Sequence, residues 1–380
     1  YQNKYHYNSQ FDVRMPYPSS SDRIIIVSGE SGQGKTWRLA AYGNQETESD
    51  TIVAAVRATG SAKNTLEEVA DFIWKEGFGR QREMSLDGIT NSLRKDNESF
   101  PDEWLTILID EVRSYEEARN LIEYPWEKYG IRLVMATGED LAKKLVTQFA
   151  NDITLERVEN FTPSELREYL DRHDISWGDI PADMRLILLR PLLALLYCKI
   201  AKEESQRPTN EYRLFESMWD RIAKQAQFDD GVRLSELMYS TLEEEIAYPW
   251  KLNKCYEFGI DSESLQRLID VGWLERDGRR VRVWHTRLLN WLVAECLAEE
   301  FRSSGDEIIP LINEVFNPNK SDRKVLNGEY LEYVPMDLLW LLCDESHPRR
   351  KDAHLVLESI EQIQYPGMTF HNELFNSLIP

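Results

Sequence analysis

A glycine-rich stretch near the start of the chain has the residue types and spacing of a phosphate-binding loop. The segment GESGQGKT fits the pattern G-x-x-x-x-G-K-[ST] at every fixed position. Its glycines let the backbone fold around an anion, and the helix expected after it directs its positive end at the same anion. A chance match in a glycine-rich turn is the alternative. The positions predicted to contact a nucleotide are Gly29, Glu30, Ser31, Gly32, Gln33, Gly34, Lys35 and Thr36.

The last two residues of this loop provide its chemistry. The Lys35 ammonium can reach the β- and γ-phosphates of a nucleotide, and the Thr36 hydroxyl is a suitable ligand for Mg²⁺. We therefore predict that the chain binds ATP or ADP together with Mg²⁺.

An acidic pair ends a later apolar run, WLTILIDEV, and is predicted to complete the metal site. A phosphate loop needs a second metal anchor on a neighbouring strand, and Asp110 is predicted to hold Mg²⁺ through water. Glu111 is predicted to polarise the attacking water as the catalytic base. The predicted catalytic residues are therefore Lys35, Asp110 and Glu111. Without the phosphate loop, ordinary helix capping would be the better explanation of the acidic pair.

A threonine ends the next apolar run, IRLVMATGED. A polar group at the tip of that strand faces the γ-phosphate in a phosphate-loop sheet, so Thr137 is a candidate sensor of the nucleotide. Capping of the helix that starts at EDLAKKL is the alternative role.

These residues require a parallel sheet to position them. Runs rich in Ile, Leu and Val alternate with helical patterns between residues 22 and 158, which predicts an α/β phosphate-loop domain with helices on both faces of a parallel sheet. The five expected strands lie in RIIIVSG, TIVAAVRA, LTILIDE, IRLVMATG and DITLERV.

The remaining segments are predominantly helical. Thr162, Pro163 and Glu165 form a predicted capping box with proline at the first helical position, and Pro191 interrupts a strongly apolar stretch. A helix, a hairpin that turns at Asp277 and Gly278, and a long helix indicate a winged helix. The predicted domains are a lead-in or linker at 1–21, the nucleotide-binding domain at 22–158, a helical lid at 159–225, the winged helix at 226–303 and the start of a helical repeat array at 304–380.

The composition limits the classes of partner and compartment. The net charge of −21 argues against a nucleic-acid backbone as the main partner. No window offers the roughly 18–20 uninterrupted apolar residues of a membrane span. The four isolated cysteines, without a CxxC motif, favour buried thiols in a reducing cytoplasm over disulfides or a metal site. Because the chain starts with a polar segment at Tyr1, we expect a piece of a longer protein.

The order of these parts resembles the STAND NTPases, signal-transducing relatives of the AAA+ proteins that include the NLR immune receptors. LLRPLLALLY looks like the family's lid motif, which implies that Pro191 packs near the adenine with Arg190 beside it. RVRVWHTRLLNWLVAECL resembles the end of the family's winged helix, where a histidine reaches the β-phosphate of ADP, and His285 occupies that place. The resemblance covers roughly residues 20 to 300.

The chain departs from the family at the sensor. Many members carry an arginine after the sensor threonine, whereas this chain has Gly138, so another arginine must sense the γ-phosphate. The candidates for that arginine are Arg57, Arg113 and Arg132. Trp37 follows the loop where a smaller aliphatic residue is commoner, and it either contacts the nucleotide or packs behind the loop.

Two further assignments stay open. His285, beside Trp284, can be a core residue instead of a nucleotide ligand. Basic residues on the hairpin can contact nucleic acid, as winged helices often do, or can form a solvated wing. These residues are Arg279, Arg280 and Arg282.

The resemblance implies an ATP-hydrolysing switch that oligomerises with copies of itself. It would respond to a protein ligand sensed by a C-terminal region beyond this chain and would activate an N-terminal effector in cis, in the manner of antiviral STAND proteins. One alternative is an AAA+ ATPase that acts on DNA, of the origin-recognition or transposition type. Another is a small-molecule kinase, which would not need a winged helix.

Overall fold

The computed structural model divides into two compact units, residues 1–202 and 203–380. The described residues are 9–14, 23–30, 32–48, 51–74, 85–96, 103–201, 207–223, 229–243, 245–304, 309–316, 326, 331, 333–343 and 353–362.

A five-stranded parallel sheet forms the centre of the first unit, in the order β2-β3-β4-β1-β5. All five predicted strands are confirmed. The strands are β1 (Ile24–Ser28), β2 (Ile52–Arg57), β3 (Leu105–Val112), β4 (Ile131–Thr137) and β5 (Thr154–Arg157). Every residue of β1 is buried, as expected for a strand between two neighbours in a sheet covered on both faces.

Helices cover both faces of this sheet. Alternate residues of β1 face opposite sides, so Ile25 and Val27 join one apolar cluster with Leu39, whereas Ile24 and Ile26 join another. The helices between the strands are α1 (Lys35–Glu48), α2 (Ala62–Phe72), α3 (Leu86–Asp96), α4 (Tyr115–Ile122), α5 (Trp126–Tyr129) and α6 (Glu139–Phe149). The predicted α/β layering is therefore confirmed.

Three helices follow the sheet within the first unit: α7 (Pro163–Arg172), α8 (Ala182–Ile187) and α9 (Pro191–Ala201). The predicted capping box is confirmed at the start of α7, since the Glu165 N–H donates to Thr162 Oγ1 at 3.2 Å and the Thr162 N–H donates to Glu165 Oε2 at 2.6 Å. Pro191 is the first residue of α9, a position at which proline loses no helical hydrogen bond.

The lead-in segment packs on α7 in its described part. Arg172 donates to the carbonyl oxygen of Asp12 at 3.0 Å, and Arg14 forms an ion pair with Glu165 at 3.2 Å. Residues 9–14 therefore pack against α7 as part of the first unit.

The second unit is helical apart from a small antiparallel sheet of order β6-β8-β7. Its strands are β6 (Trp250–Lys251), β7 (Leu274–Asp277) and β8 (Arg280–Val283). The hairpin of β7 and β8 was predicted, whereas β6 was not, because two residues give no periodicity. The winged-helix assignment of this region stays a prediction.

Eight helices are described in the second unit. They are α10 (Glu211–Ala223), α11 (Asp230–Leu242), α12 (Leu252–Glu257), α13 (Ser262–Asp270), α14 (Thr286–Ser304), α15 (Ile309–Phe316), α16 (Val334–Cys343) and α17 (Ala353–Gln362). Three of them, α12, α13 and α14, contact the strands of that sheet. The predicted helical region after residue 304 thus contains three described helices, and its assignment to a repeat array stays a prediction.

Two predictions made from the composition concern free cysteine thiols and the lack of a membrane-spanning segment. The four cysteines form no disulfide, and Cys198, Cys255 and Cys296 are buried. In the described ranges, every helix is too short or too polar to cross a bilayer.

Candidate functional site

The phosphate-binding loop lies between β1 and α1, as its sequence predicts. Gly32 and Gly34 have φ angles of +80° and +96°, in the left-handed region that glycine enters without steric cost. Ser31, one of the predicted contact residues, lies outside the described residues. Gly34, a fixed glycine of the motif, and Gly32, at a variable position, are therefore both required by the shape of the loop.

Gln33 occupies a variable position of the motif, yet it holds the loop together. Its side chain is buried, and its Oε1 accepts a hydrogen bond from the Glu30 N–H at 2.7 Å. A Cβ atom at Gly29 would lie 2.8 Å from that oxygen and 2.7 Å from the carbonyl oxygen of Val158. Glycine is thus also needed at position 29, because the loop packs closely against the residue that follows β5. The sequence motif gave no signal for this contact.

Lys35 is the cation at the mouth of the loop. Its Nζ donates to the carbonyl oxygens of Gly29 at 2.8 Å and Glu30 at 2.7 Å. Burial lowers the pKa of Lys35, while the carboxylates of Asp110 and Glu111 oppose that shift. The ammonium therefore lies within electrostatic reach of both predicted acidic residues.

Asp110 lies at the carboxyl end of β3 and contacts the loop. Thr36 Oγ1 donates a hydrogen bond to Asp110 Oδ2 at 2.7 Å. Burial raises the pKa of the Asp110 carboxyl and nearby Glu111 adds to the rise, while Arg57 opposes it. A buried carboxylate beside a hydroxyl is an oxygen donor pair that suits Mg²⁺, and a divalent cation would compensate the buried charge. The two residues predicted to hold the metal thus fit it.

Glu111 sits at an irregular point of the strand. The pairing of β3 with β4 shifts register between Ile109 and Val112, and Glu111 has a φ angle of +60°. Its N–H donates to Asp110 Oδ1 at 2.9 Å, and its carboxylate lies 3.4 Å from the Arg113 guanidinium. This bulge turns the side chain of Glu111 out of the regular alternation of the strand.

Thr137, the predicted sensor, is buried at the end of β4. Its hydroxyl donates to the carbonyl oxygen of Val112 at 2.6 Å. Helix α6 has Gly138 at its N-cap without a side-chain cap, so the structure does not support the helix-capping alternative. Thr137 instead fixes the bulged end of β3, and its role toward a nucleotide stays a prediction.

Two residues of the predicted lid, Arg190 and Pro191, lie near the loop. A Cβ atom at Gly32 would lie 3.2 Å from Arg190 Cδ, and one at Gly34 would lie 3.8 Å from Pro191 Cβ. The Leu192 N–H donates to the carbonyl oxygen of Gly32 at 3.0 Å. Arg190 and Pro191 therefore belong to the surroundings of the phosphate loop.

Trp37 packs behind the loop. It is half-buried against the apolar cluster that includes Val27 and Leu39. This contact matches the packing alternative for Trp37.

His285 belongs to the second unit, where its contacts are those of a helix cap. Its Nδ1 accepts a hydrogen bond from the Arg287 N–H at 3.0 Å, at the start of α14. Arg287 is itself buried, and it forms ion pairs with Asp337 and with Glu211. Within its own unit, His285 orders the first turn of α14, and its contact with a nucleotide stays a prediction.

The three arginines considered for phosphate sensing differ in position. Arg132 lies near the amino end of β4, where it pairs with Glu46 at 2.6 Å and with Glu103 at 3.0 Å. Arg57 lies in register with Asp110 at the carboxyl end of β2. Arg113 pairs with Glu111, so only Arg57 and Arg113 lie at the edge of the sheet that carries the loop.

A comparison with protein families supports the fold of this domain. A family profile described as an AAA domain matches residues 18–145. The matched residues include the phosphate-binding loop and four of the five strands of the sheet, so the match agrees with the observed α/β architecture.

Solved structures give weaker similarity. Cdc6p from Pyrobaculum aerophilum is 14% identical, with 73% of this chain and 88% of that chain covered and a TM-score of 0.36. AMPPCP-bound DnaA from Aquifex aeolicus is 14% identical, with 90% and 88% covered and a TM-score of 0.34. A RuvB variant from Thermotoga maritima is 16% identical, with 69% and 84% covered and a TM-score of 0.27. No curated protein sequence matches this chain significantly.

Proposed function

We propose that the chain is an ATPase module that binds ATP or ADP with Mg²⁺ and hydrolyses ATP. The hydrogen bond from Thr36 to Asp110 carries this proposal, because it joins the phosphate loop to the strand that bears the acidic pair. The match to the AAA domain profile supports it as well.

Each side chain has a defined task in this reaction. Lys35 stabilises the charge of the terminal phosphates, and Thr36 and Asp110 hold Mg²⁺, which would neutralise the charge that develops in the transition state. Glu111 accepts a proton from water as the water oxygen attacks the γ-phosphorus. The bond from the γ-phosphorus to the bridging oxygen breaks, which leaves ADP and inorganic phosphate.

Equilibrium binding and turnover test this function together. Wild type should bind fluorescent ATP and ADP in the presence of Mg²⁺ and should release phosphate from ATP. Lys35→Ala should lose binding, and Glu111→Gln should keep binding but lose about a hundredfold in turnover, as expected for removal of a general base. Lys143→Ala, on the exposed face of α6, is the matched control. Unchanged ATP affinity in Lys35→Ala would rule out the loop as the nucleotide site.

A more specific candidate function is an ATPase that acts on DNA, and the β7–β8 hairpin favours it. Arg276, Arg279 and Arg280 are exposed there, although the chain as a whole is strongly acidic. Clustered arginines can contact phosphates, and such contacts make binding fall steeply with salt. Replacement of all three by alanine should lower the affinity for duplex DNA and flatten its salt dependence. Equal binding by wild type and variant would remove this candidate.

The other specific candidate function is a signalling switch, which is the function that the STAND resemblance implies. Its support is the packing of Arg190 and Pro191 on the loop, which links the lid to the nucleotide site. This function further requires His285 to contact ADP and the chain to form homo-oligomers with ATP. Mass photometry of the full-length protein with ADP and with ATP tests it, since a mass independent of nucleotide would contradict it. The protein ligand, the effector in cis and the defence role belong to this candidate alone.

A further inference from the structure

Glu111 is held in a backbone conformation that its side chain does not favour. Only Glu111 and Asp174, among non-glycine residues in the described ranges, have positive φ angles, and Glu111 has φ of +60° inside a bulge. Such strain persists where the surrounding contacts over-determine it, and it concentrates at functional sites. The contacts that hold Glu111 therefore show what keeps the proposed base in place.

Glu111 is held by contacts at its backbone and at its carboxylate. The N–H is bound to Asp110 Oδ1 at 2.9 Å. The carboxylate Oε2 pairs with Arg113 Nη2 at 3.4 Å, and both side chains are half-buried. The backbone between them is held by Thr137, whose hydroxyl donates to the Val112 carbonyl. The proposed base is thus paired with a cation two residues further along the chain, just after β3 ends.

Arg113 directly follows the carboxyl end of β3, at the edge of the parallel sheet where β1 runs into the phosphate loop. The carboxylates of Asp110 and Glu111 both act on the charge of Lys35, so all three groups lie within electrostatic range. Arg132, in contrast, forms ion pairs with Glu46 and Glu103 near the amino end of β4, away from the loop edge of the sheet. Gly138, the residue after the predicted sensor, has no side chain that could sense charge.

We propose that Arg113 exchanges partners when ATP binds, leaving Glu111 for the oxygens of the terminal phosphate. Arg113 is then the arginine that distinguishes ATP from ADP, and Glu111 is released to the attacking water only when a γ-phosphate is present. The inference rests on the proposed function, because it concerns the same nucleotide site. A guanidinium suits this exchange, since it pairs with carboxylate and phosphate in the same planar geometry.

Dissociation constants for ATPγS and ADP test the exchange without any need for turnover. Arg113→Ala should weaken ATPγS binding by about tenfold, the usual worth of one charged hydrogen bond, while ADP affinity stays within about twofold. Arg113→Lys should recover part of the ATPγS affinity, because the charge is kept and the planar contact is lost. Retained ADP binding shows in the same experiment that each variant is folded.

The partner side of the exchange gives a second, independent readout. Glu111→Gln should strengthen ATPγS binding by a few-fold, because Arg113 no longer has to leave a charged partner. In the double variant with Arg113→Ala this gain should disappear, which is the non-additivity expected of a shared contact. Arg119→Ala removes an exposed guanidinium that pairs with Glu123 on α4, and it should change neither affinity.

Three results would overturn the proposal in distinguishable ways. If wild type binds ATPγS and Arg113→Ala keeps the same preference over ADP, the exchange is wrong and the proposed function stands. If Arg57→Ala removes the preference and Arg113→Ala does not, Arg57 is the sensing residue. If wild type binds neither nucleotide, the proposed function itself fails.

Discussion

The hydroxyl of Thr36 donates a hydrogen bond to the carboxylate of Asp110 over 2.7 Å, although 74 positions separate the two residues. Thr36 lies in the first turn of α1 and Asp110 lies near the carboxyl end of β3, so this bond joins the helix that follows the phosphate loop to the strand that bears the acidic pair. The same two oxygens suit Mg²⁺, and Thr36 and Asp110 would hold the metal, since a hydroxyl that donates to a carboxylate keeps a lone pair for a metal ion.

Asp110→Asn is expected to abolish the effect of Mg²⁺ on ATP binding without abolishing ATP binding itself. The amide keeps the size of the side chain and can still accept from Thr36, but it removes the negative charge that Mg²⁺ requires. We expect Mg²⁺ to increase ATP affinity in wild type and to have little effect in the variant, as measured by binding in Mg²⁺ and in EDTA.

The same change should stabilise the nucleotide-free chain at neutral pH. Burial raises the pKa of Asp110, so its contribution to stability is lost as the pH rises and the buried carboxyl ionises. A neutral amide avoids this loss, and the melting temperature should increase. Asp152→Asn, on an exposed turn, is the control. An equal Mg²⁺ response in wild type and Asp110→Asn would contradict the assignment of the metal ligand.

Gly32→Ala is expected to impair both the loop and nucleotide binding. Gly32 has φ of +80°, and an added Cβ would lie 3.2 Å from Arg190 and 3.3 Å from Leu192. The left-handed conformation alone costs about 1–2 kcal/mol for a residue with a Cβ. Crowding against Arg190 and Leu192 should add to that cost and displace Arg190, so ATP affinity should fall.

Gly60→Ala is the matched control for this prediction. Gly60 has φ of +85°, and nothing lies within 4 Å of an added Cβ. Its replacement should therefore lower the free energy of unfolding by a similar conformational amount and leave ATP affinity unchanged. If both variants lost ATP affinity equally, backbone strain alone would explain the effect. The contact of the added Cβ with Arg190 and Leu192 would then play no part.

The sequence predicted those features that local pattern determines. The glycines, Lys35 and Thr36 lie in one contiguous motif, and the strand that precedes Asp110 is a continuous apolar run, so the five strands and the acidic pair could be read from the chain. The register shift at Glu111 and the role of Gln33 could not, since both depend on contacts with other segments. Arg113 was one of three candidate arginines, and only its ion pair with Glu111 distinguished it.

The two roles of His285 can be separated by comparing two substitutions. Asparagine at this position can still accept the Arg287 N–H as an N-cap, whereas alanine cannot, and loss of a cap costs about 1 kcal/mol. We expect His285→Ala to lower the melting temperature and His285→Asn to keep it near that of wild type. The rate of ADP release from each variant then measures the nucleotide role: faster release in both supports contact with ADP, whereas wild-type release from His285→Asn would leave His285 a helix cap only.

Glu295 is expected to make the chain less stable as the pH rises. It lies on α14, accepts from Trp291 Nε1 at 3.1 Å, and has Glu216, Asp220 and Glu299 nearby. Burial raises the pKa of Glu295 from 4.5 to about 8, so the folded chain holds a proton that the unfolded chain releases. Its contribution to stability is therefore complete below pH 4.5 and is lost as the pH rises through about 8.

Glu295→Gln should remove this dependence, because the amide resembles the neutral carboxyl at every pH. We expect the variant to exceed wild type in the free energy of unfolding by up to about 4 kcal/mol at pH 8, because each unit of the pKa rise corresponds to about 1.4 kcal/mol, and to approach it near pH 4.5. Urea unfolding of the full chain across that range measures both. Glu236→Gln removes a charge from the exposed face of α11 and should follow the wild-type curve. A Glu295→Gln curve parallel to that of wild type would mean that Glu295 has the same pKa in the folded and unfolded chains.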